Sequence, residues 1–156
     1  MAGSYLSSDR KEAHQVSSND PYSKLISAVE LDRIELLHLE HKRNHELHPP
    51  FTVSTDLQTS LRNYQDEEII ALAEFTLEGT SAETNNSELR IHMIWQLGYS
   101  IDRQESSFEM SENLINRFIE RNVAINIWPY TRELVASLTA KMSLTPLVLP
   151  TLKVLR

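Results

Sequence analysis

Cysteine is absent from the 156-residue sequence, which excludes disulfides, thiolate metal sites and cysteine nucleophiles. Glycine is scarce, because Gly3, Gly79 and Gly98 are the only three, and none of them begins the glycine-rich loop that cradles phosphate in nucleotide-binding proteins. The Gly-x-Ser-x-Gly elbow of hydrolases is also missing. These absences predict a protein that is not an enzyme and needs no cofactor.

Positive charge is in deficit as well. Fifteen Lys and Arg residues stand against 22 Asp and Glu residues, which leaves a net charge of −7. This balance argues against a general affinity for nucleic acid or anionic membranes. No apolar run approaches the roughly 20 residues of a membrane helix, and the first twenty residues contain no apolar core of a signal peptide. We therefore expect a cytoplasmic protein with no nucleic-acid partner and no membrane insertion.

Hydrophobic residues make up 40% of the sequence, which is enough to build a core. Residues 1–23 are rich in Ser, Asp, Glu, Lys and Asn, and this composition predicts a flexible N-terminal arm. The length of the remainder, residues 24–156, fits one domain.

Four segments show the two-residue period of half-buried strands. The first begins near Leu25, and the phase of its apolar residues changes near Asp32-Arg33, which predicts a β-bulge. Leu37 and Leu39 predict either a second irregularity or the end of the strand. The second segment runs from about Phe51 to Leu61 and the third from about Glu68 to Leu77, followed by a polar hairpin loop. The fourth is the clearest, since seven large apolar residues share one face: Leu89, Ile91, Met93, Trp95, Leu97, Tyr99 and Ile101.

After Arg103 the apolar period becomes that of helices. Ser111 can cap a first helix. Residues 126–129 are expected to break the chain, with Pro129 in the first turn of a second helix. The apolar residues of that second helix recur every four positions: Tyr130, Leu134, Leu138 and Met142. The order of elements predicts an α+β fold, with a four-stranded antiparallel sheet followed by two C-terminal helices packed on it.

Four histidines lie within a short stretch, at positions 38, 41, 45 and 48. On a continuous helix His38, His41 and His45 could share a face and bind a metal. However, the segment follows a strand pattern and ends in Pro49-Pro50. We therefore expect an exposed crossover loop here and no metal site.

A C-terminal motif resembles a known family. The run Asn126-Ile127-Trp128-Pro129-Tyr130-Thr131-Arg132-Glu133-Leu134 is followed by Leu144-Thr145-Pro146-Leu147-Val148-Leu149. Together these runs resemble the C-terminal signature of the SecB chaperones, in which Pro-Tyr-x-Arg-Glu precedes a helix and Pro-Leu-x-Leu. The predicted order of strands and helices is also that of the family. Five motif residues are expected to be structural, with Arg132 and Glu133 forming an ion pair or fixing a subunit interface: Pro129, Arg132, Glu133, Pro146 and Leu149.

The resemblance implies a cytoplasmic, ATP-independent holdase that forms a dimer or tetramer. SecB proteins hold unfolded chains in apolar grooves and pass export-bound precursors to the SecA motor, so SecA is a candidate partner. Two departures weaken that handover. The family's long C-terminal extension is absent, and Met93 stands about where export-type members carry a SecA-binding glutamate. Both departures favour the SecB-like subgroup that protects antitoxins in toxin–antitoxin–chaperone systems.

Large apolar residues are expected to form the client-binding groove, because an unfolded chain offers varied side chains and needs sequence-tolerant walls. For the aromatic residues the alternative is ordinary core. The alternative function is a non-chaperone adaptor or structural protein that binds one folded partner through the same sheet. The groove residues that we expect are Trp95, Leu97, Tyr99, Trp128, Tyr130, Leu144 and Leu147.

Overall fold

A computed structural model describes residues 20–65, 67–102 and 108–152. Its centre is a four-stranded antiparallel sheet, and helices lie before and after the sheet in the chain. The strands are β1 (Val29–Arg43), β2 (Phe51–Gln65), β3 (Glu68–Ser81) and β4 (Ser87–Ile101), and their order across the sheet is β1-β4-β3-β2. The helices are α1 (Pro21–Ala28), α2 (Glu112–Phe118) and α3 (Ala124–Lys141). The predicted α+β fold class is confirmed.

The two central strands supply most of the core. Side chains alternate between the faces of a strand, and the predicted apolar faces of β3 and β4 are buried on the helix side of the sheet. Both strands extend further than predicted, so the polar loop between them shrinks to residues 82–86. Most polar side chains of the predicted loop face solvent. The strands can therefore include some of these residues without burying them.

Two bulges set the phase of β1. The register with β4 shifts between Leu31 and Arg33 and again between Leu36 and His38, which confirms the predicted bulge and shows that the second feature is an irregularity rather than a strand end. Each bulge inserts one residue and so moves every later side chain to the opposite face. As a result Leu31, Leu36 and Leu39 all stay on the helix side of the sheet, opposite buried residues of β4.

The N-terminal half differs from prediction in two places. Leu25, which we assigned to the first strand, is fully buried in α1, because Pro21 in the first turn favours helix. The strand β1 continues to Arg43, so His38 and His41 lie in the strand and the predicted crossover loop is reduced to residues 44–50. The strand is longer than predicted because its pairing with β4 continues after the second bulge, from His38 to Arg43. Residues 1–19 of the predicted arm lie outside the described residues, and residues 21–23 begin α1.

The predicted chain break before the last helix is wrong. A π-helical turn over Ile119–Val123 joins α2 to α3 without interruption, and Pro129 lies inside α3 rather than in its first turn. Burial explains the continuity. Val123, Ile127 and Val135 face the core at multiples of four residues, so the buried stripe continues on both sides of the proline.

Candidate functional site

The chain after α3 turns back and runs along that helix. Beyond the turn that ends the helix, three hydrogen bonds hold this chain antiparallel to α3. Leu147 N donates to Thr139 Oγ1 (2.9 Å), Arg132 Nε donates to Leu149 O (2.8 Å), and Trp128 Nε1 donates to Pro150 O (2.9 Å). We call residues 143–150 the C-terminal segment. Two of the predicted structural residues, Arg132 and Leu149, thus meet in one contact, and the Leu149 side chain is buried.

An apolar cavity of about 450 Å³ lies between the C-terminal segment and the beginning of β2. Its floor and walls come from five separate parts of the chain: the loop after β1, the first residues of β2, the start of β4, Thr139 of α3 and the C-terminal segment. No charged side chain of the described residues lines it. The large apolar residues around the cavity are Leu47, Phe51, Val53, Leu89, Leu144 and Leu147.

Two of the seven residues predicted for the groove, Leu144 and Leu147, line this cavity. Trp128 and Tyr130 lie nearer the beginning of α3. The Trp128 ring meets Phe75 of β3 edge-on, with ring centroids 6.1 Å apart, and Tyr130 is 51% exposed. Neither Trp128 nor Tyr130 lines the cavity.

The remaining three predicted residues belong to the core of the protomer. Trp95 lies under Tyr130, with ring centroids 6.5 Å apart, whereas Leu97 and Tyr99 are fully covered. The Tyr99 ring packs edge-on against Phe118 at 5.0 Å, and its hydroxyl accepts a hydrogen bond from Asn126 Nδ2 at 3.1 Å. Burial raises the pKa of Tyr99. Leu97 and Tyr99 thus offer no surface to a partner in this structure.

Sequence reasoning missed the wall opposite the C-terminal segment. Leu47, Phe51 and Val53 contribute to it, although each comes from a stretch that looks like loop or edge strand. One local signal was present, since Leu47 and Phe51 flank Pro49-Pro50 in an otherwise polar stretch. Large apolar residues beside a rigid turn point to a surface that something covers.

A buried carboxylate holds the loop beside the cavity. Glu88 is 3% exposed, and it accepts hydrogen bonds from His48 N (2.8 Å) and Thr84 Oγ1 (3.0 Å) and pairs with His48 Nδ1 (2.9 Å). The backbone hydrogen bond from His48 lowers the pKa of Glu88, and the hydrogen bond to Glu88 raises the pKa of His48. The ion pair thus fixes the loop that carries Leu47 and Pro49.

We expect this ion pair to make stability depend on pH in both directions. The stabilisation that His48 provides is complete when the pH is below its ordinary pKa of about 6.5, and it is lost as the pH rises through the raised pKa of the folded state. The stabilisation that Glu88 provides is complete when the pH is above its ordinary pKa of about 4.3, and it is lost as the pH falls through the lowered pKa of the folded state. The melting temperature of His48→Gln should therefore fall furthest below wild type near pH 5.5.

The control is His45→Gln, which changes an exposed histidine of the same loop. Its melting temperature should follow wild type at every pH. A deficit in His48→Gln that is the same at pH 3, 5.5 and 8.5 would contradict the role of the ion pair.

Comparison of folds is more informative than comparison of sequences. No protein-family model matches the sequence, and no curated protein matches it either. The structure, however, aligns with the SecB-like chaperone Rv1957 of Mycobacterium tuberculosis, solved in complex with a ChAD peptide from the HigA1 antitoxin. The TM-score is 0.73 at 17% sequence identity, over 85% of this chain and 94% of that chain. The chain has the SecB-like fold.

The resemblance seen in the C-terminal motif therefore predicted the fold correctly. A protein of unknown function from Streptococcus agalactiae also aligns, over 78% of this chain and 96% of that chain. Its TM-score of 0.39 at 15% identity is too low to support any conclusion. Among the described residues, no helix has both the length and the apolar character needed to cross a membrane.

One residue that the sequence comparison singled out lies in the core. Met93, which we placed near a SecA-binding glutamate, is fully buried on the helix side of β4. The outward positions of this strand are its neighbours His92 and Ile94.

Proposed function

We propose that this protein is an ATP-independent, SecB-like holdase that takes apolar segments of unfolded or aggregation-prone polypeptides into the cavity beside β2. The observation that carries this proposal is an apolar cavity at the edge of a sheet. The strand β2 is outermost in the sheet, and an edge strand offers backbone groups for pairing with another chain. An extended client can pair with this edge and place alternate side chains in the cavity.

The cavity suits a sequence-tolerant partner. Leu144 and Leu147 on one side and Phe51 and Val53 on the other provide apolar contact without demanding particular hydrogen bonds. The half-buried Trp128 and the exposed Tyr130 extend the apolar surface along α3. Of the residues predicted for the groove, we retain Leu144, Leu147, Trp128 and Tyr130 as client contacts.

We further propose that the protein forms a homo-oligomer, either a dimer or a tetramer. The strand β1 is the other edge of the sheet. Three leucines on its helix-facing side, Leu31, Leu36 and Leu39, are 40%, 40% and 37% exposed. Apolar side chains along an unpaired edge strand favour self-association.

Between the two kinds of client, an antitoxin is favoured over export-bound precursors. The structural neighbour from Mycobacterium tuberculosis was solved with an antitoxin peptide, and this chain offers the same fold with an apolar cavity. Handover to SecA lacks comparable support, because the residue used to judge it, Met93, faces the core. Both clients would be met in the cytoplasm, and both require the same cavity.

An aggregation assay tests the proposed activity. The full-length protein, without nucleotide, should suppress the light scattering of several unrelated denatured proteins at stoichiometric amounts. A non-chaperone adaptor would suppress none of them and would bind one native partner instead. A requirement for ATP, or no suppression with any client, would contradict the proposal.

A further inference from the structure

Three metal-ligating side chains converge on the outer face of the sheet, which is the face opposite the helices. They are His38 and Glu40 of β1 and His92 of β4, and their ligand atoms all lie within 4.8 Å of one another. Glu40 pairs directly with His92 in the register of the two strands, and the rings of His38 and His92 have centroids 5.2 Å apart. We propose that this cluster is a binding site for a transition-metal dication, with Zn²⁺ as the ion that fits best.

The second bulge of β1 creates this arrangement. The bulge leaves Leu37 without a direct partner and pairs His38 with Ile94, whose side chain points outward. If Leu37 instead paired regularly with Ile94, His38 would turn to the helix side of the sheet. The cluster differs from the trio of His38, His41 and His45 that the sequence analysis weighed and set aside. His41 lies opposite the buried Ile91 on the helix side, and His45 lies beyond the end of β1.

A fourth residue orients the cluster. Glu74 of β3 lies with Oε1 2.7 Å from Nε2 of His92. A carboxylate that accepts the N–H of an imidazole fixes its ring orientation and tautomer, as is usual for histidines that bind metals. With the proton on Nε2, the lone pair of Nδ1 is available to the ion. Three strands of the sheet thus contribute to the site.

The donor set selects the class of ion. Two imidazoles and one carboxylate suit Zn²⁺ and its neighbours in the transition series, whereas Mg²⁺ and Ca²⁺ prefer oxygen alone. Bonds of about 2.1 Å in a tetrahedral site place ligand atoms about 3.4 Å apart. The side chains of His38 and Glu40 are 45% and 46% exposed, so small rotations can close the present separation.

A lysine competes for the carboxylate. Lys42 Nζ lies 2.9 Å from Glu40 Oε1, which neutralises the carboxylate that the ion would use. An incoming cation displaces this ammonium group. We therefore expect Lys42 to weaken metal binding, and its removal to strengthen it, a direction that adventitious binding to surface histidines would not show.

Isothermal titration of the full-length, client-free protein with ZnCl₂ tests the site. Wild type should bind one Zn²⁺ per chain with micromolar affinity or tighter and should not bind Mg²⁺ under the same conditions. His38→Asn and His92→Asn should each weaken binding at least about tenfold, and Glu74→Gln by about tenfold. Lys42→Gln should tighten it. Thermal melting should show that the same Zn²⁺ concentration stabilises wild type more than either histidine variant.

The matched control is His41→Asn, which removes a histidine from the other face of the same strand and should leave Zn²⁺ affinity unchanged. Circular dichroism should show that all variants fold, since the altered side chains lie on the surface. The site would be disproved by a wild type that binds no Zn²⁺. Equal losses in His41→Asn and His92→Asn, or no gain in Lys42→Gln, would also overturn it. None of these results depends on client binding.

Discussion

Leu147→Glu should weaken the affinity for an unfolded client at least about tenfold, while Val148→Glu should leave it within about twofold of wild type. The Leu147 side chain is half-buried and lines the apolar cavity. A carboxylate at that position loses its water when a client fills the cavity, and an unpaired charge is costly to desolvate. Val148 is the next residue, is 69% exposed and does not line the cavity. Fluorescence anisotropy with a labelled apolar peptide measures both affinities.

The comparison is well matched because both variants add one negative charge at neighbouring positions of the same segment. Any general effect of charge on a client is therefore the same in both. The hydrogen bond from Leu147 N to Thr139 uses the backbone and survives either substitution. Equal affinities in the two variants, whether both kept or both lost, would show that the cavity is not the client site.

Thr139→Val should release the C-terminal segment from α3. The Thr139 side chain is 1% exposed, and its Oγ1 accepts the N–H of Leu147 at 2.9 Å while donating to Val135 O at 2.9 Å. Valine has nearly the same shape but no acceptor, so a backbone N–H loses its partner at a cost of about 1–3 kcal/mol. Hydrogen exchange at the Leu147 amide should accelerate by about 5- to 150-fold. Client affinity should fall as well, because one wall of the cavity becomes mobile.

Thr139→Ser provides the control, since it keeps the hydroxyl and removes only a methyl group. Its exchange rate at Leu147 should stay close to that of wild type, and much closer than that of Thr139→Val. If both variants accelerate exchange equally, packing rather than the hydrogen bond holds the segment. If neither does, the segment is fastened mainly by its contacts with Arg132 and Trp128.

The sheet could be predicted in detail from the sequence because its signal is local. Alternation with a period of two defines the buried face of each strand, and the faces of β3 and β4 are buried as expected. The first bulge of β1 was also visible, since a bulge changes the phase of the apolar residues. What the alternation could not show was how far pairing continues, so His38 and His41 were placed in a loop.

The helical region was harder because neighbouring structure overrides local preference. Pro129 suggested a break, but the buried residues Ile127 and Val135 keep α3 continuous around it. Of the helix face expected to be apolar, Met142 is buried, whereas Leu134 and Leu138 are only partly buried and Tyr130 is exposed. Periodicity identifies a face of a helix but does not show which neighbour covers it.

The candidate site could be predicted only in part for the same reason. Leu144 and Leu147 were predicted because large apolar residues in irregular chain need cover, and they do line the cavity. Leu97 and Tyr99 were predicted from the same apolar character, yet the fold buries them. The opposite wall of the cavity depends on the loop before β2 approaching the C-terminal segment, a tertiary contact that the local signal beside Pro49-Pro50 does not specify.

The most direct test of the central claim, that this cavity receives the client, is methyl NMR on the unmodified protein. A leucine- and valine-labelled sample titrated with an unfolded apolar peptide should show its largest shifts at the cavity methyls. Those of Val53, Leu144 and Leu147 should move together, and those of Val148 should stay in place. Shifts that leave the cavity methyls unchanged and appear elsewhere, for example on Leu31 and Leu39 of β1, would contradict the account.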